Sequence, residues 1–279
     1  MKNYKVVTTF HQKGMDLYGQ RFIDSFNKNV DKSIRLEVFA ENCNPQGDER
    51  TTIHNSNVIT KLTAFKNKWK DVPKANGICP FPEKRPRDHH KKFKWDAIRF
   101  ANKVYSVLHS AEDENTDWLI WMDADVVVHS QWPLQDFTKL FPDTRWLTFV
   151  GRGRGAQTWP ECGFYGMNLK HPSCKKFLKD FERVYEDAEK GIFLLSEWHD
   201  SYVFGQLLKS ARLQDADVLD YSENIYNRTA KTGGGGHPFI NCVLGTWLDH
   251  LKGDSRKQKG TSLKTDLMIG RNEEYWKNI

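Results

Sequence analysis

Two aspartates stand one residue apart directly after an apolar run in DWLIWMDADVVVHS (117–130). Carboxylates at positions i and i+2 can both reach one hard divalent cation if the strand breaks its pleat between them. The same tripeptide recurs at 215–217 after a polar stretch, a context typical of a turn or the start of a strand. Asp123 and Asp125 are therefore the candidate metal ligands. The alternative is that both simply accept hydrogen bonds from turn amides.

A histidine near the end of the chain offers a third ligand to such a metal. His250 lies in WLDHLKGDSRK, with Gly253 three residues on and Arg256 and Lys257 behind it. An imidazole can complete a ligand set of two carboxylates. The glycine lets backbone approach a diphosphate, and the basic pair can neutralise it. A structural role is the usual one for a lone histidine, and it stays open here.

The elements that must position these residues alternate between strands and helices. Apolar and period-two runs predict strands, and apolar stripes at helical spacing predict helices. This alternation favours a parallel or mixed sheet with helices on its faces, and ligands then bind beyond the carboxyl ends of the strands. The predicted strands are 4–10, 34–41, 118–122, 145–151, 163–170 and 216–222, and the predicted helices are 14–29, 58–70, 93–108, 172–190 and 196–210. The rest of 42–92 is predicted to be mainly loop, and the tail after 236 shows no strong periodicity.

Taken together, the Asp-x-Asp after an apolar strand and the late His-x-x-Gly-x-x-basic motif resemble the GT-A fold glycosyltransferases, especially those of the family 8 type. The resemblance runs with gaps from about residue 4 to residue 258. It implies an α/β protein with a GT-A (Rossmann-like) mixed, mostly parallel sheet flanked by helices. It also implies a nucleotide sugar as donor, UDP-linked by expectation, and Mn²⁺ or Mg²⁺ held by Asp123, Asp125 and His250.

Softer matches extend the resemblance to further site residues. The segment FKWDAIRFANKVYSV resembles the helix whose basic residue reaches the donor sugar, a part that Arg99 or Lys103 would take. The segment HDSYVF resembles the family's Asp-Gln-Asp/Ala segment and makes Asp200 a candidate catalytic carboxylate. Glu161 stands where the family has an asparagine and is the second candidate, from its place at a strand end. Ser201 replaces the family's glutamine, and the usual Lys-Pro-Trp ending is missing, so a retaining or an inverting outcome stays open.

Two aromatic residues fall where the family binds the nucleoside base. Phe10 ends the first predicted strand and Tyr18 lies in the next helix, so either ring could stack on a base or pack in the core. Two further segments are candidates for moving parts: the cationic loop at 151–160, and the glycine run at 233–236 as a hinge for the segment that carries His250.

Composition limits the remaining possibilities. The 279 residues are 38% apolar and 13% aromatic, which excludes a disordered chain. No apolar stretch suits a signal peptide or a membrane span, so we expect a cytoplasmic protein. The five cysteines are scattered without a Cys-x-x-Cys pair, which argues against a structural zinc site. No repeat or clean linker divides the chain, and we expect one domain at 1–258 with a C-terminal tail at 259–279.

The net charge of +6 is concentrated in EKRPRDHHKKFK (83–94). Such a run is either a solvated loop or a patch for a polyanionic acceptor. The acceptor hydroxyl is left open between a glycan or glycolipid head group and a hydroxylated base in DNA, and the enzyme between a hexosyl- and a pentosyltransferase. The basic residues of the run are Lys84, Arg85, Arg87, Lys91, Lys92 and Lys94.

Two other functions compete with sugar transfer. A phosphotransferase of the haloacid dehalogenase type also has Asp-x-Asp after an apolar strand, but near its first strand and with a later aspartate pair that this chain lacks. A non-catalytic nucleic-acid binding module would use the basic run and the aromatic residues, but leaves the carboxylates and His250 unexplained.

Overall fold

The computed structural model describes residues 2–152, 159–212, 217–222 and 237–279. Within these ranges, seven strands form one sheet in the order β3-β2-β1-β4-β7-β6-β8. The strands pair in parallel except at β7, which runs antiparallel to both of its neighbours. The seven strands are β1 (Tyr4–His11), β2 (Arg35–Glu41), β3 (Thr51–Asn55), β4 (Trp118–Met122), β6 (Leu147–Val150), β7 (Glu161–Asn168) and β8 (Val218–Asp220).

Helices cover both faces of this sheet because its strands are apolar on both sides. Successive residues of β1 point to opposite faces, so Val6 belongs to one buried cluster and Val7 to the other. Helices α3, α4, α6 and α7 pack on the Val7 face, and α2, α5, α8 and α10 pack on the Val6 face. The helices are α1 (Gln12–Gly14), α2 (Gln20–Asn29), α3 (Thr60–Trp69), α4 (Ala97–Ser110), α5 (Leu134–Lys139), α6 (Pro172–Glu186), α7 (Asp200–Arg212), α8 (Pro238–Asn241), α9 (Asp254–Lys259) and α10 (Glu274–Lys277).

A second, two-stranded sheet lies beside the carboxyl end of β4. It consists of β5 (Val126–Val128) and β9 (Leu248–His250), which pair antiparallel with Val126 opposite His250. The short break between β4 and β5 contains Asp123 and Asp125. This pairing brings residues about half the chain apart to the same edge of the main sheet.

The predicted fold class, a Rossmann-like mixed and mostly parallel sheet flanked by helices, is confirmed. All six predicted strands and all five predicted helices are present, with shifted ends. The 93–108 helix begins only at Ala97, because Asp96 caps it by accepting a hydrogen bond from the Arg99 amide. Three strands were not predicted: β3, which lies in the predicted loop, and the short β5 and β9.

The residues of the predicted tail pack against the rest of the chain. Trp276 is 3% exposed, and its indole donates a hydrogen bond to the Gly245 carbonyl. Ser262 donates from its amide and its hydroxyl to Asp249 in β9. The domain boundary at 258 stays a prediction. Among the described residues, no helix is both long enough and apolar enough to cross a membrane.

Candidate functional site

Asp123, Asp125 and His250 come together where β4 ends. The Asp123 amide donates a hydrogen bond to the Gly163 carbonyl of β7, and the Val126 amide donates one to the Asp123 carbonyl. This second bond forms a turn that separates β4 from β5. One donor atom from each of the three residues lies within 4.8 Å of the other two. His250 Nε2 is 3.2 Å from Asp125 Oδ1 and 4.0 Å from Asp123 Oδ2. The structure thus brings together the three metal ligands that the sequence predicts.

The chemistry of this donor set fits a divalent cation of the Mn²⁺ or Mg²⁺ class. Carboxylate oxygens suit hard cations, and one imidazole is compatible with Mn²⁺. The backbone leaves room for the imidazole, since a Cβ on Gly163 would lie 2.8 Å from His250 Cε1. The His250 Nδ1 atom is buried and has no hydrogen-bond partner among the described residues.

Two lysines balance the charge of the aspartates. Lys103 Nζ lies 3.0 Å from Asp123 Oδ1 and 2.7 Å from Asp200 Oδ2. Burial alone would lower the pKa of Lys103, but the charges of these two carboxylates raise it well above its usual value. Lys257 Nζ lies 2.8 Å from Asp125 Oδ2 and sits over the Tyr18 ring. Both lysines are therefore cationic beside the candidate metal site.

The two candidate catalytic carboxylates have different surroundings. Asp200 is the first residue of α7 and shares Lys103 with Asp123. Glu161 begins β7 and pairs with two cations, Lys252 and, at 3.2 Å, Arg152. Burial alone would raise the pKa of Glu161, but the nearby cations, Lys252 foremost, hold it far below its usual range. Two cations thus neutralise Glu161, whereas Asp200 pairs, among the described residues, only with the lysine that it shares with Asp123.

A cavity of about 1150 Å³ opens at the carboxyl ends of the strands and holds most of the predicted residues. His250 is buried beside Asp125, and neither His250 nor Gly253 lines the cavity. The predicted residues that line it are Phe10, Tyr18, Arg99, Lys103, Asp123, Asp125, Glu161, Asp200, Arg256 and Lys257. The edge chosen from the strand pattern is therefore the edge that carries the cavity.

Within the cavity, several predicted residues have partners that the sequence does not reveal. The Phe10 ring packs against Gly19, where a Cβ would come within 3.0 Å of it, so little of this ring is exposed. Arg256 makes a two-pronged pair with Asp266, at 2.6 and 2.9 Å, so its charge is already engaged. Gly253 has φ of 90°, a conformation that favours glycine.

The sequence interpretation missed four residues of the site. Trp121 donates its indole hydrogen to Asp123 Oδ1 at 2.6 Å, and Arg152 and Lys252 neutralise Glu161. His237 donates a hydrogen bond from Nε2 to the His250 carbonyl, at 2.8 Å. Lys252 and Trp121 each stand two residues from a predicted ligand, the spacing that places side chains on one strand face, and this signal could have revealed them.

The basic run contributes less free charge than its composition indicates. Arg85 and Lys94 both pair with Glu197, at 3.1 and 2.8 Å. The other four cations of the run, Lys84, Arg87, Lys91 and Lys92, are exposed and make no ion pair within the described part of the chain. Phe93 and Lys94 of the run line the cavity, so the run borders the site.

Three features singled out in the sequence lie wholly or partly outside the described residues. These are Asp215 of the second Asp-Ala-Asp tripeptide, positions 153–158 of the cationic loop, and the glycine run at 233–236.

Comparisons with known proteins identify no family for this chain. No protein-family model matches it, and no curated protein matches it. The solved structures that match include the apo crystal structure of mouse xyloside xylosyltransferase 1, which is 9% identical. That match covers 78% of this chain and 84% of the mouse chain, with a TM-score of 0.45. At this level the likeness says nothing about substrate or mechanism.

Proposed function

We propose that this protein is a metal-dependent glycosyltransferase that moves a sugar from a nucleotide sugar, UDP-linked, to an acceptor hydroxyl. The observation that carries the proposal is the convergence of Asp123, Asp125 and His250 within 4.8 Å, with Lys103 and Lys257 beside them. The two aspartates and the two lysines line one large cavity. Sugar transfer releases a nucleoside diphosphate, so a site for it must stabilise growing negative charge on phosphate oxygens. Two carboxylates and an imidazole on a divalent cation, flanked by lysines, meet that need.

The end of the cavity around Asp125 is best suited to bind the donor's diphosphate. Asp123, Asp125 and His250 would hold Mn²⁺ or Mg²⁺, and the bound metal would supply positive charge to the phosphate oxygens. Lys257 lies between Asp125 and the Tyr18 ring, where its ammonium group can turn to the diphosphate. Tyr18 is half-buried, offers a ring face at this end, and is our choice for the residue that stacks on the nucleoside base.

Asp200 is the carboxylate best suited to act on the reacting sugar. The sugar's anomeric carbon becomes electron-poor as the diphosphate leaves, and a carboxylate beside it stabilises that charge or attacks the carbon. Asp200 shares its cation with Asp123, whereas two cations already neutralise Glu161. We therefore assign the role beside the anomeric carbon to Asp200. Glu161 would orient Lys252 and Arg152 toward the substrates.

Lys103 has a positioning role in this proposal. Its buried ammonium group spans Asp123 and Asp200, and it also donates to the Cys162 carbonyl. It therefore fixes the candidate catalytic carboxylate relative to a candidate metal ligand. Such fixed charges need no rearrangement when the reaction begins, which lowers the barrier.

Release of the nucleoside diphosphate tests the proposal directly. The full chain is incubated with a panel of UDP-hexoses and a UDP-pentose, with Mn²⁺ or with a chelator, and free UDP is measured. We expect slow UDP release with Mn²⁺ and at least one donor, and none with the chelator, because the metal ligands would then lack their cation. No UDP release from any donor would contradict the proposal. Phosphate release from simple phosphate esters would favour the phosphotransferase instead.

A further inference from the structure

The cavity extends beyond the end that we assign to the donor's diphosphate. Its volume of about 1150 Å³ exceeds the roughly 300–1,000 Å³ of ordinary small-ligand pockets. The metal ligands, Tyr18 and Lys257 occupy one end. The lining then continues past Asp200 to a second group of residues that the proposed donor site does not use. This second end must therefore be explained separately.

Aromatic rings form a continuous cluster at this second end. His199 immediately precedes Asp200, and its ring lies 5.5 Å from Phe93 and 6.2 Å from Tyr202. Trp159 extends the cluster, at 4.4 Å from the Tyr202 ring. His199 is held by Glu197, at 3.0 Å. Phe93 is 44% exposed, although exposing a large apolar ring costs free energy unless a partner covers it.

Exposed cations surround the same cluster. Lys91 and Lys92 directly precede Phe93, and both are exposed without an ion pair in the described residues. Lys209 Nζ lies 4.9 Å over the Trp159 ring, and Arg99 lies 5.6 Å over the Phe100 ring. Aromatic rings combined with exposed cations are the means by which proteins bind single nucleic-acid strands, since bases stack on the rings and phosphates pair with the cations.

We propose that this second end, lined by Phe93, Phe100, Trp159 and His199 with the buried Tyr202 packed behind them, is the acceptor site and takes one base of a nucleic-acid strand. The inference rests on the proposed sugar transfer, because the cluster borders Asp200. A neutral glycan would also stack on the rings, but it has no anionic group that could pair with the cations. A base in a duplex is out of reach of such a pocket, so the strand is bound single or with the base turned out of the stack.

The chemistry of transfer constrains which base can react. The acceptor oxygen forms a bond to the anomeric carbon, the bond from that carbon to the diphosphate oxygen breaks, and the diphosphate leaves with the electron pair. The hydroxyl proton is released through a nearby base to solvent. Unmodified bases carry no aliphatic hydroxyl, so the substrate is a base that already bears one. A hydroxylating or hydroxymethylating reaction must therefore precede this enzyme.

Binding of a labelled oligonucleotide by the full chain tests the inference. The probe is a short single strand that carries one 5-hydroxymethylpyrimidine, followed by fluorescence anisotropy at several salt concentrations. If four cations contact phosphates, the log–log slope is about −2.8, or roughly a fiftyfold loss between 50 and 200 mM salt. Phe93→Ala should weaken binding by roughly tenfold, because base–aromatic stacking contributes about 1–3 kcal/mol per base. Lys91→Glu with Lys92→Glu should weaken binding further and flatten the salt slope.

Matched variants exclude a general effect of charge or of surface apolar area. Lys28→Glu with Lys32→Glu makes the same charge change at the opposite edge of the sheet, and Leu194→Ala removes an exposed apolar side chain outside the cavity lining. Both should bind the probe as the unaltered chain does. If Lys28→Glu with Lys32→Glu weakened binding as much as the Lys91/Lys92 pair, the attraction would be unspecific and the inference wrong.

UDP release without any acceptor separates this inference from the proposed function. A chain that releases UDP but binds no oligonucleotide at low salt, or that transfers sugar to a neutral glycan alone, overturns the nucleic-acid site only. A chain that binds the oligonucleotide but never releases UDP overturns the transferase. Mass spectrometry of the probe after incubation with donor and Mn²⁺ should show one added sugar per modified base.

Discussion

At the scale of single residues, both carboxylate oxygens of Asp123 have partners in the site. Its Oδ1 atom accepts from the Trp121 indole at 2.6 Å and from Lys103 at 3.0 Å, while Oδ2 faces His250. One oxygen is thus held by hydrogen bonds from the protein, and the other faces His250 in the proposed metal site. This division explains how a carboxylate in a loop keeps a fixed orientation, as ligands supported by further hydrogen bonds do.

We expect Asp123→Asn and Asp125→Asn each to lower sugar transfer by more than about a hundredfold, because even partners behind a metal ligand cost 10–100-fold when removed. The amide retains an oxygen that can accept from Trp121 and Lys103 at position 123 and from Lys257 at position 125, so the fold should persist, and circular dichroism can verify this. The measurement is the initial rate of UDP release with Mn²⁺.

The second Asp-Ala-Asp tripeptide provides a control within the same chain. Asp215→Asn makes the same chemical change in the same tripeptide, and we expect it to leave the rate unaltered. A dispensable Asp123 combined with an essential Asp215 would show that the wrong motif had been assigned to the metal.

Removal of the imidazole should affect metal and nucleotide together. We expect His250→Ala to weaken the binding of UDP in the presence of Mn²⁺ by about tenfold or more, because the cation loses one of three protein ligands. Isothermal titration calorimetry measures this affinity, and the exposed His109→Ala serves as the control. Equal affinities in the two variants would rule out His250 as the third ligand.

At the scale of elements, β9 determines where His250 lies, and the end of the chain holds β9 in place. Asp249 is fully buried and accepts three hydrogen bonds, two from Ser262 and one from the Tyr275 hydroxyl at 2.7 Å. No cation pairs with it among the described residues. Its charge depends on these donors, so the strand that carries His250 is tied to residues well beyond it.

Tyr275→Phe removes one of the donors to this buried carboxylate. Hydrogen bonds to charged groups contribute about 1.5–3 kcal/mol each, so we expect a loss of about that size in the free energy of unfolding. Urea unfolding measures it. In Asp249→Asn the charge is gone, and adding Tyr275→Phe should then cost clearly less. A full cost in both backgrounds would mean that Tyr275 acts through packing alone.

The histidine that stacks on Tyr275 gives the protein a pH dependence. The His129 ring lies 4.1 Å from the Tyr275 ring and nearly parallel to it, and burial lowers the pKa of His129 to about 4. As the pH falls, the unfolded chain protonates His129 near pH 6.5, whereas the folded chain does not. The contribution of His129 to the free energy of unfolding is therefore complete above about pH 6.5 and is lost as the pH falls toward 4.

His129→Phe keeps a stacked ring and removes the titration. Between about pH 7 and pH 4.5 the unaltered chain should lose about 2 kcal/mol more of its unfolding free energy than the variant does. Urea unfolding at both pH values measures the difference. His237, whose pKa is lowered to about 3 mainly by burial, titrates in both chains and cancels in the comparison. Parallel profiles of unfolding free energy against pH would show that the folded chain protonates His129 as readily as the unfolded chain does.

The strands around the site differ in how far the sequence could predict them. The five-residue β4 is apolar throughout and followed by two aspartates, so both its burial and its functional end could be predicted. The three-residue β5 and β9 are too short to show a period and exist because they pair with each other. Likewise, Glu161 could be placed at a strand end, but its neutralisation by Lys252 depends on an approach of two distant segments, which no local pattern encodes.

At the scale of the whole molecule, the sheet and its C-terminal segment form one body with the site at its edge. The α10 residue Trp276 belongs to the same buried cluster as Val6 in β1 and Phe22 in α2. The Arg271 guanidinium, 5% exposed, donates to the carbonyls of Ile240 and Cys242. These bonds satisfy backbone groups that would otherwise be buried without partners. The position of His250, the proposed third metal ligand, therefore depends on the packing of the segment that follows it.

A chain that ends at residue 258 tests whether the last residues are a dispensable tail or part of the folded unit. Deletion of 259–279 removes the Ser262 and Tyr275 bonds to Asp249, the Arg271 bonds and the buried Trp276. Loss of the buried tryptophan alone costs about 3–5 kcal/mol, against a total stability of about 5–15 kcal/mol for a typical domain. We therefore expect the shortened chain to be largely unfolded at room temperature.

Trp276→Ala is a milder change than that deletion, because it removes only one buried side chain of the segment. It should fold and melt at a lower temperature, with a loss of about 3–5 kcal/mol, while a chain that lacks only Asn278 and Ile279 should stay closer to the full chain. Thermal unfolding followed by circular dichroism ranks the three. If the chain ending at 258 melted like the full one and still bound UDP with Mn²⁺, the boundary at 258 would be real. In that case β9 would keep His250 in place without the hydrogen bonds that Ser262 and Tyr275 donate to Asp249.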